Sequence, residues 1–146
     1  MGYLKFENVK VNLDFDKIFR EAEERDRLQS IKIIRIYQST KLTKRKQAED
    51  YKYIIVETEY TNGDKEEVKP WKYNGIIVQG NQEYLVFNSW CDDNKMIRKV
   101  LGEYQLCVYN VQPKSTAKVA WIFSIPKYLK EVEIVSMHGE RISYKL

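Results

Sequence analysis

Acidic side chains gather in one short stretch of the chain. In VETEYTNGDKEEVK, Glu57, Glu59, Asp64 and Glu66 fall around Asn62-Gly63. Clustered carboxylate oxygens suit hard cations such as Mg²⁺ or Ca²⁺. Asn-Gly is also the strongest short signal for a β-hairpin, because a type I′ turn needs positive φ at both central residues. A two-residue turn there pairs Glu59 with Glu66, Tyr60 with Lys65 and Glu57 with Val68. Alternation then sets Glu57, Glu59, Asp64 and Glu66 on one face. Three uses compete: a solvated hairpin whose charges guard a sheet edge, a hard-cation site, or an arm that meets a basic partner. The solvated hairpin is the simplest, and no cofactor or bound metal is expected.

Just beyond, Glu67-Val68-Lys69 spells E-x-K after strand-borne acids. The tripeptide resembles the active-site pattern of the restriction-endonuclease-like nucleases. That resemblance implies carboxylates holding Mg²⁺ to activate water, and a lysine orienting that water. In the hairpin register above, Glu57 and Glu59 lie on the face opposite Glu67.

Other chemistry is sparse. His138 is the single histidine, and Cys91 and Cys107 are the two cysteines. This set is too small and too badly spaced for a zinc site or a disulfide framework. It leaves little room for Ser-His or Cys-His catalysis. No phosphate-binding glycine motif and no nucleophile elbow is present.

Charge and aromatic residues carry more. From Arg27 to Ala48 there are seven cations and no acid; from Glu49 to Asp93, four cations and ten acids; from Asn94 to Lys130, seven cations and one acid. A polarised surface is expected from such blocks. Eleven tyrosines and three tryptophans interleave with lysines at Tyr51-Lys52-Tyr53, Trp71-Lys72-Tyr73 and Lys127-Tyr128. Rings that stack on bases beside cations that neutralise phosphates are what single-stranded nucleic acid requires. The candidate nucleic-acid-binding residues are therefore Lys32, Arg35, Lys41, Lys44, Arg45, Lys46, Trp71, Lys72 and Tyr73, with Trp71 as the exposed ring. The expected function is non-enzymatic nucleic-acid binding that prefers single strands. The alternative is a protein-binding accessory or inhibitor module, such as a viral factor that blocks a host complex. A Mg²⁺-dependent nuclease is a third.

Length and patterning frame those sites. The 146 residues, 43% hydrophobic and 32% charged, fit one globular domain spanning 1–146. Lys, Glu, Ile, Val and Tyr dominate, a lean toward thermophile usage. No apolar run has signal-peptide or membrane-span length, so a cytoplasmic, intracellular protein without membrane contact is expected.

NLDFDKIFREAEERDRL carries Phe15, Ile18, Phe19 and Ala22 at helical spacing, which predicts an N-terminal amphipathic helix. DNKMIRKVLG predicts a short helix ended by Gly102. Strands are expected at SIKIIRIYQS, 51–60, 65–69, 104–111 and 118–125. Turns are expected at Gly80-Asn81, pairing Val78 with Glu83, and at His138-Gly139. Trp121, inside VAWIFSI, is expected in the core. The predicted class is α+β: a mostly antiparallel sheet or partly open barrel of consecutive hairpins, with those two helices.

Overall fold

A computed structural model describes residues 4–5, 9–10, 14, 16–17, 20, 27–39, 51–73, 75–80, 84–85, 88–89, 95–136 and 140–146. In chain order the elements are β1 (Leu4–Lys5), β2 (Val9–Lys10), β3 (Gln29–Ser39), β4 (Tyr51–Asn62), a 3-10 turn (Pro70–Tyr73), β5 (Ile76–Gly80), β6 (Tyr84–Leu85) and β7 (Asn88–Ser89). They continue with α1 (Lys95–Leu101), β8 (Gln105–Leu106), β9 (Ser115–Pro126), β10 (Glu131–Ser136) and β11 (Arg141–Lys145).

Two sheets dominate. One has the order β3-β4-β9-β8, antiparallel except that β8 runs parallel to β9. The other has the order β11-β10-β5-β6-β2, with β1 and β7 forming a separate short ladder. Ile54, Val56 and Tyr60 of β4 and Val119, Trp121, Phe123 and Ile125 of β9 form one cluster with Ile76, Val78, Val132 and Ile134 of the facing sheet. The other face of β4 and β9 is apolar as well. Ile55, Ala120 and Ile122 pack there with Ile97 and Leu101 of α1 and with Leu106. Both faces of these central strands are covered, so their sequences read as near-continuous apolar runs rather than alternations.

The α+β class is therefore corrected to a mostly-β, two-sheet molecule. No N-terminal amphipathic helix stands among its described elements. The stripe residues Phe15, Ile18, Phe19 and Ala22 lie outside the described residues, and Asp14 Oδ1 accepts a local hydrogen bond from Lys17 N–H (3.1 Å).

The chain of consecutive hairpins fails at Asn62-Gly63. β4 runs straight through Asn62, pairing with β3 on one side and β9 on the other. Residues 65–69 form no strand; only Val68 bridges, to Val111. The reason lies in Asn62, which is fully buried and knits distant segments together. Its Oδ1 accepts from Gln29 Nε2 (2.9 Å) and Asp64 N (2.9 Å), and its Nδ2 donates to Glu66 O (2.8 Å) and Val111 O (3.0 Å). Gly63 serves close approach rather than a positive φ: a Cβ there would lie 2.6 Å from Leu28 O.

At the second turn signal the strands do pair, but Gly80 faces Tyr84 and Gln79 faces Leu85. The register thus differs from the expected one, and residues 81–83 lie outside the described residues. The third pair forms between β10 and β11, with Val135 opposite Arg141. Of the strand expected at 104–111, only β8 and the Val111 bridge remain. α1 ends as expected at Gly102, where φ is +60° and its N–H reaches Arg98 O (3.0 Å).

Candidate functional site

The bulge between Ile33 and Arg35 on β3 turns Arg35 toward the outer face of β4. There Arg35 Nε donates to Glu57 Oε1 (2.9 Å), Arg35 Nη2 to Glu57 Oε2 (3.3 Å), and the Tyr37 hydroxyl to Glu57 Oε2 (3.1 Å). The guanidinium also lies over the Tyr37 ring, 4.3 Å from its centroid. Hydrogen bonding and charge attraction from Glu57 raise the Arg35 pKa. Burial, reinforced by the Glu57 charge, pushes the Tyr37 phenol up to about 12.

One position along, Glu59 sits opposite Lys32 on β3 and Lys118 on β9, and Lys118 is ion-paired to Glu103. Cations and carboxylates thus alternate across this face. Arg35 and Lys32, expected to meet phosphate, instead face carboxylates of the acidic block.

Trp71, Lys72 and Tyr73 lie in the 3-10 turn after buried Pro70. Trp71 N–H donates to Cys107 O (3.0 Å). The rings of Trp71 and Tyr73 are half-buried and packed on the core, and Lys72 alone of the three is exposed. Trp71 is therefore not the projecting ring the sequence suggested. Lys41, Lys44, Arg45 and Lys46 lie outside the described residues, as do Cys91 and His138.

The acids are dispersed. Glu57 and Glu59 project from the outer face of β4, and Asp64 and Glu66 lie in the connection beyond it. The Glu67 carboxylate accepts from Asn110 Nδ2 (3.1 Å) and Gln112 Nε2 (3.3 Å). Among the described residues, no three Asp, Glu, His or Cys side chains come together as metal ligands.

The surface that the sequence under-signalled is the turn joining β9 to β10, residues 126–130. Leu129 N–H closes it onto Pro126 O (3.2 Å), and Leu146 N–H holds Lys130 O (2.8 Å). The Leu129 side chain is buried, packed so close to Gly80 that a Cβ at residue 80 would lie 2.5 Å from Leu129 Cδ1. Lys52 lies on the same face of β4 as Ile54. Its ammonium donates to Lys127 O (3.3 Å) and Leu129 O (3.1 Å). Burial and the nearby Lys127 charge together lower the Lys52 pKa. Lys127, Tyr128 and Lys130 are all exposed, Tyr128 to 61%. The adjacency Lys127-Tyr128 was the only signal for this group in the sequence. Its link to Lys52, 75 residues away, was not readable.

No protein-family description matches the chain, and no curated protein matches it in sequence. Solved structures do. A conserved hypothetical protein from Bacillus anthracis superposes with a TM-score of 0.60 at 16% identity, covering 97% of this chain and 99% of its own. An uncharacterized β-sandwich protein from Clostridium difficile 630 gives 0.51 at 20% identity, covering 81% and 85%. These likenesses establish a shared fold. Among the described residues, no helix is long and apolar enough to cross a membrane.

Proposed function

We propose that the protein is a non-enzymatic nucleic-acid-binding protein that meets phosphates at the end of the sandwich where β4 begins and β9 ends. The observation that carries this reading is the Lys52 ammonium seated on the carbonyls of Lys127 (3.3 Å) and Leu129 (3.1 Å), in the turn whose Lys127 and Lys130 side chains are exposed. Lys130 extends the cluster, and Lys145 stands opposite Glu131 beside it. The same end of the sheet is where β3 stops at Ser39 and β4 starts at Tyr51. The sequence between those residues carries Lys41, Lys44, Arg45 and Lys46, with Glu49 and Asp50 at its close. A cluster of like charge is costly in a free protein and is relieved by a polyanion.

The test is oligonucleotide binding across a salt series. Log K is expected to fall with log[salt] by about 0.7–0.9 per phosphate neutralised. Replacing Lys127 and Lys130 with alanine is expected to flatten that slope by up to about two such units, on any sequence. If the wild-type protein shows no salt-sensitive binding to DNA or RNA, the reading fails. The protein-binding alternative then takes its place. Its support is the outer face of β3, β4 and β9, where Lys32, Glu59 and Lys118 alternate in sign and Lys118 is ion-paired to Glu103. Alternating charge complements a protein surface better than it complements a polyanion.

A further inference from the structure

We infer that the 126–130 turn is a stacking platform for an unpaired base, with Tyr128 as the ring and Lys127 and Lys130 as its phosphate contacts. This rests on the nucleic-acid reading above and narrows it to strands with open bases.

The first support is how the turn is held. It is tied at four points: Leu129 N–H on Pro126 O, the Lys52 ammonium on the carbonyls of residues 127 and 129, Leu146 N–H on Lys130 O, and the Leu129 side chain sunk beside Gly80. These ties fix the backbone on both sides of Tyr128 and leave its side chain in water. Of the four large apolar or aromatic side chains that are exposed among the described residues, Leu28 and Ile34 have no aromatic ring and Tyr109 has no lysine beside it in sequence. Among the described residues, Tyr128 alone combines an exposed ring, flanking lysines and a braced backbone. A ring carried on a backbone already fixed in place loses less conformational freedom when a ligand lands on it than one carried on a mobile loop.

The second support is chemical. A stacked base offers its partner a π-face, and adjacent phosphates lie within reach of lysines on either side of the ring. A duplex hides its base faces in the stack, so a single projecting tyrosine has nothing to stack on there. Lysine contacts, by contrast, serve duplex and single strand alike.

The experiment uses the intact protein with a labelled single-stranded oligothymidine and a duplex of matched length, by fluorescence anisotropy at several salt concentrations. Tyr128→Ala is expected to weaken single-strand binding roughly 5- to 150-fold, with the salt slope unchanged and duplex binding within about twofold of wild type. Tyr128→Phe is expected to bind as wild type does, since the ring and not the hydroxyl makes the contact. Irradiation of a 5-bromouracil single strand is expected to cross-link to the peptide that contains Tyr128. If Tyr128→Ala binds the single strand as tightly as wild type while the Lys127 and Lys130 substitutions weaken it, the stacking site is wrong and the phosphate surface stands. Equal losses on single strand and duplex would also overturn stacking. Absence of any salt-sensitive binding by the wild-type protein removes both.

Discussion

Glu57 sits mid-strand with its side chain 5% exposed, whereas the side chain of its partner Arg35 is 60% exposed. The pair is thus a buried carboxylate held by a surface guanidinium. The energetic burden falls on Glu57, whose oxygens give up water and are met instead by donors from Arg35 and Tyr37. Tyr37 supplies one of those donors and takes on a raised pKa, near 12, through its own burial and the adjoining carboxylate. A tyrosine in the unfolded chain titrates near 10. The folded protein therefore keeps this proton where the unfolded chain has lost it. The stability contributed by the group is complete below about pH 10 and drains away as pH rises toward 12. Denaturation midpoints at about pH 9 and about pH 11 should fall with pH in the wild-type protein and fall less in Tyr37→Phe. Tyr53, also raised by burial, adds to the slope in both proteins, so the difference between them is the quantity to read. The partial exposure of Tyr37 keeps that difference well under the limiting 1.4 kcal/mol per pH unit. Equal slopes in the two proteins would dissociate Tyr37 from Glu57.

At the scale of elements, the β9–β10 turn depends on a lysine from another strand. Lys52→Met keeps the apolar stem but leaves the carbonyls of residues 127 and 129 without the ammonium. The expected global cost is small, about 0.5–1.5 kcal/mol. The local effect should be larger: the Leu129 amide, bonded to Pro126 O, should exchange with solvent faster than amides in β9. Unchanged exchange at Leu129 would mean the turn braces itself. This turn also marks where sequence reasoning stopped. Elements specified by near neighbours were legible: α1 with Gly102 behind it, β10 and β11 about His138-Gly139, and the buried Trp121 in VAWIFSI. Elements specified by distant partners were not. Asn62-Gly63 carries the local signature of a hairpin, yet Asn62 is spent on Gln29 and Val111. The strand partners of β4 lie in β3 and in β9, more than fifty residues further on. Turn chemistry is blind to that distance. It therefore assigned carboxylates to one face that the fold separates. The lysines around Trp71 misled separately, setting in water a ring that packs on the core.

Across the whole molecule, one core links the two sheets while α1 seals the outer face of the four-stranded one. Trp121 is central to that core. It is 2% exposed, stands opposite Val56, and donates from Nε1 to Thr58 Oγ1 (3.1 Å), whose own hydroxyl donates to Val119 O (2.8 Å). Val78 and Ile134 of the facing sheet belong to the same cluster. Neither sheet can keep its inner face dry without the other, so the two should unfold in one cooperative step. Trp121→Ala should cost about 3–5 kcal/mol. For a chain of this length each kcal/mol shifts Tm by roughly 2–4 °C, so Tm should drop by roughly 6–20 °C. The loss should appear in both sheets together. Amides of β4 and of β10 should give up the same share of their protection, and far-UV dichroism should show one transition in both proteins. Two resolved transitions, or lost protection in β4 with β10 untouched, would show that the sheets hold separate cores. The lysine-rich end would then ride on a unit able to move apart from the rest, because β9 and β10, which the turn joins, belong to different sheets.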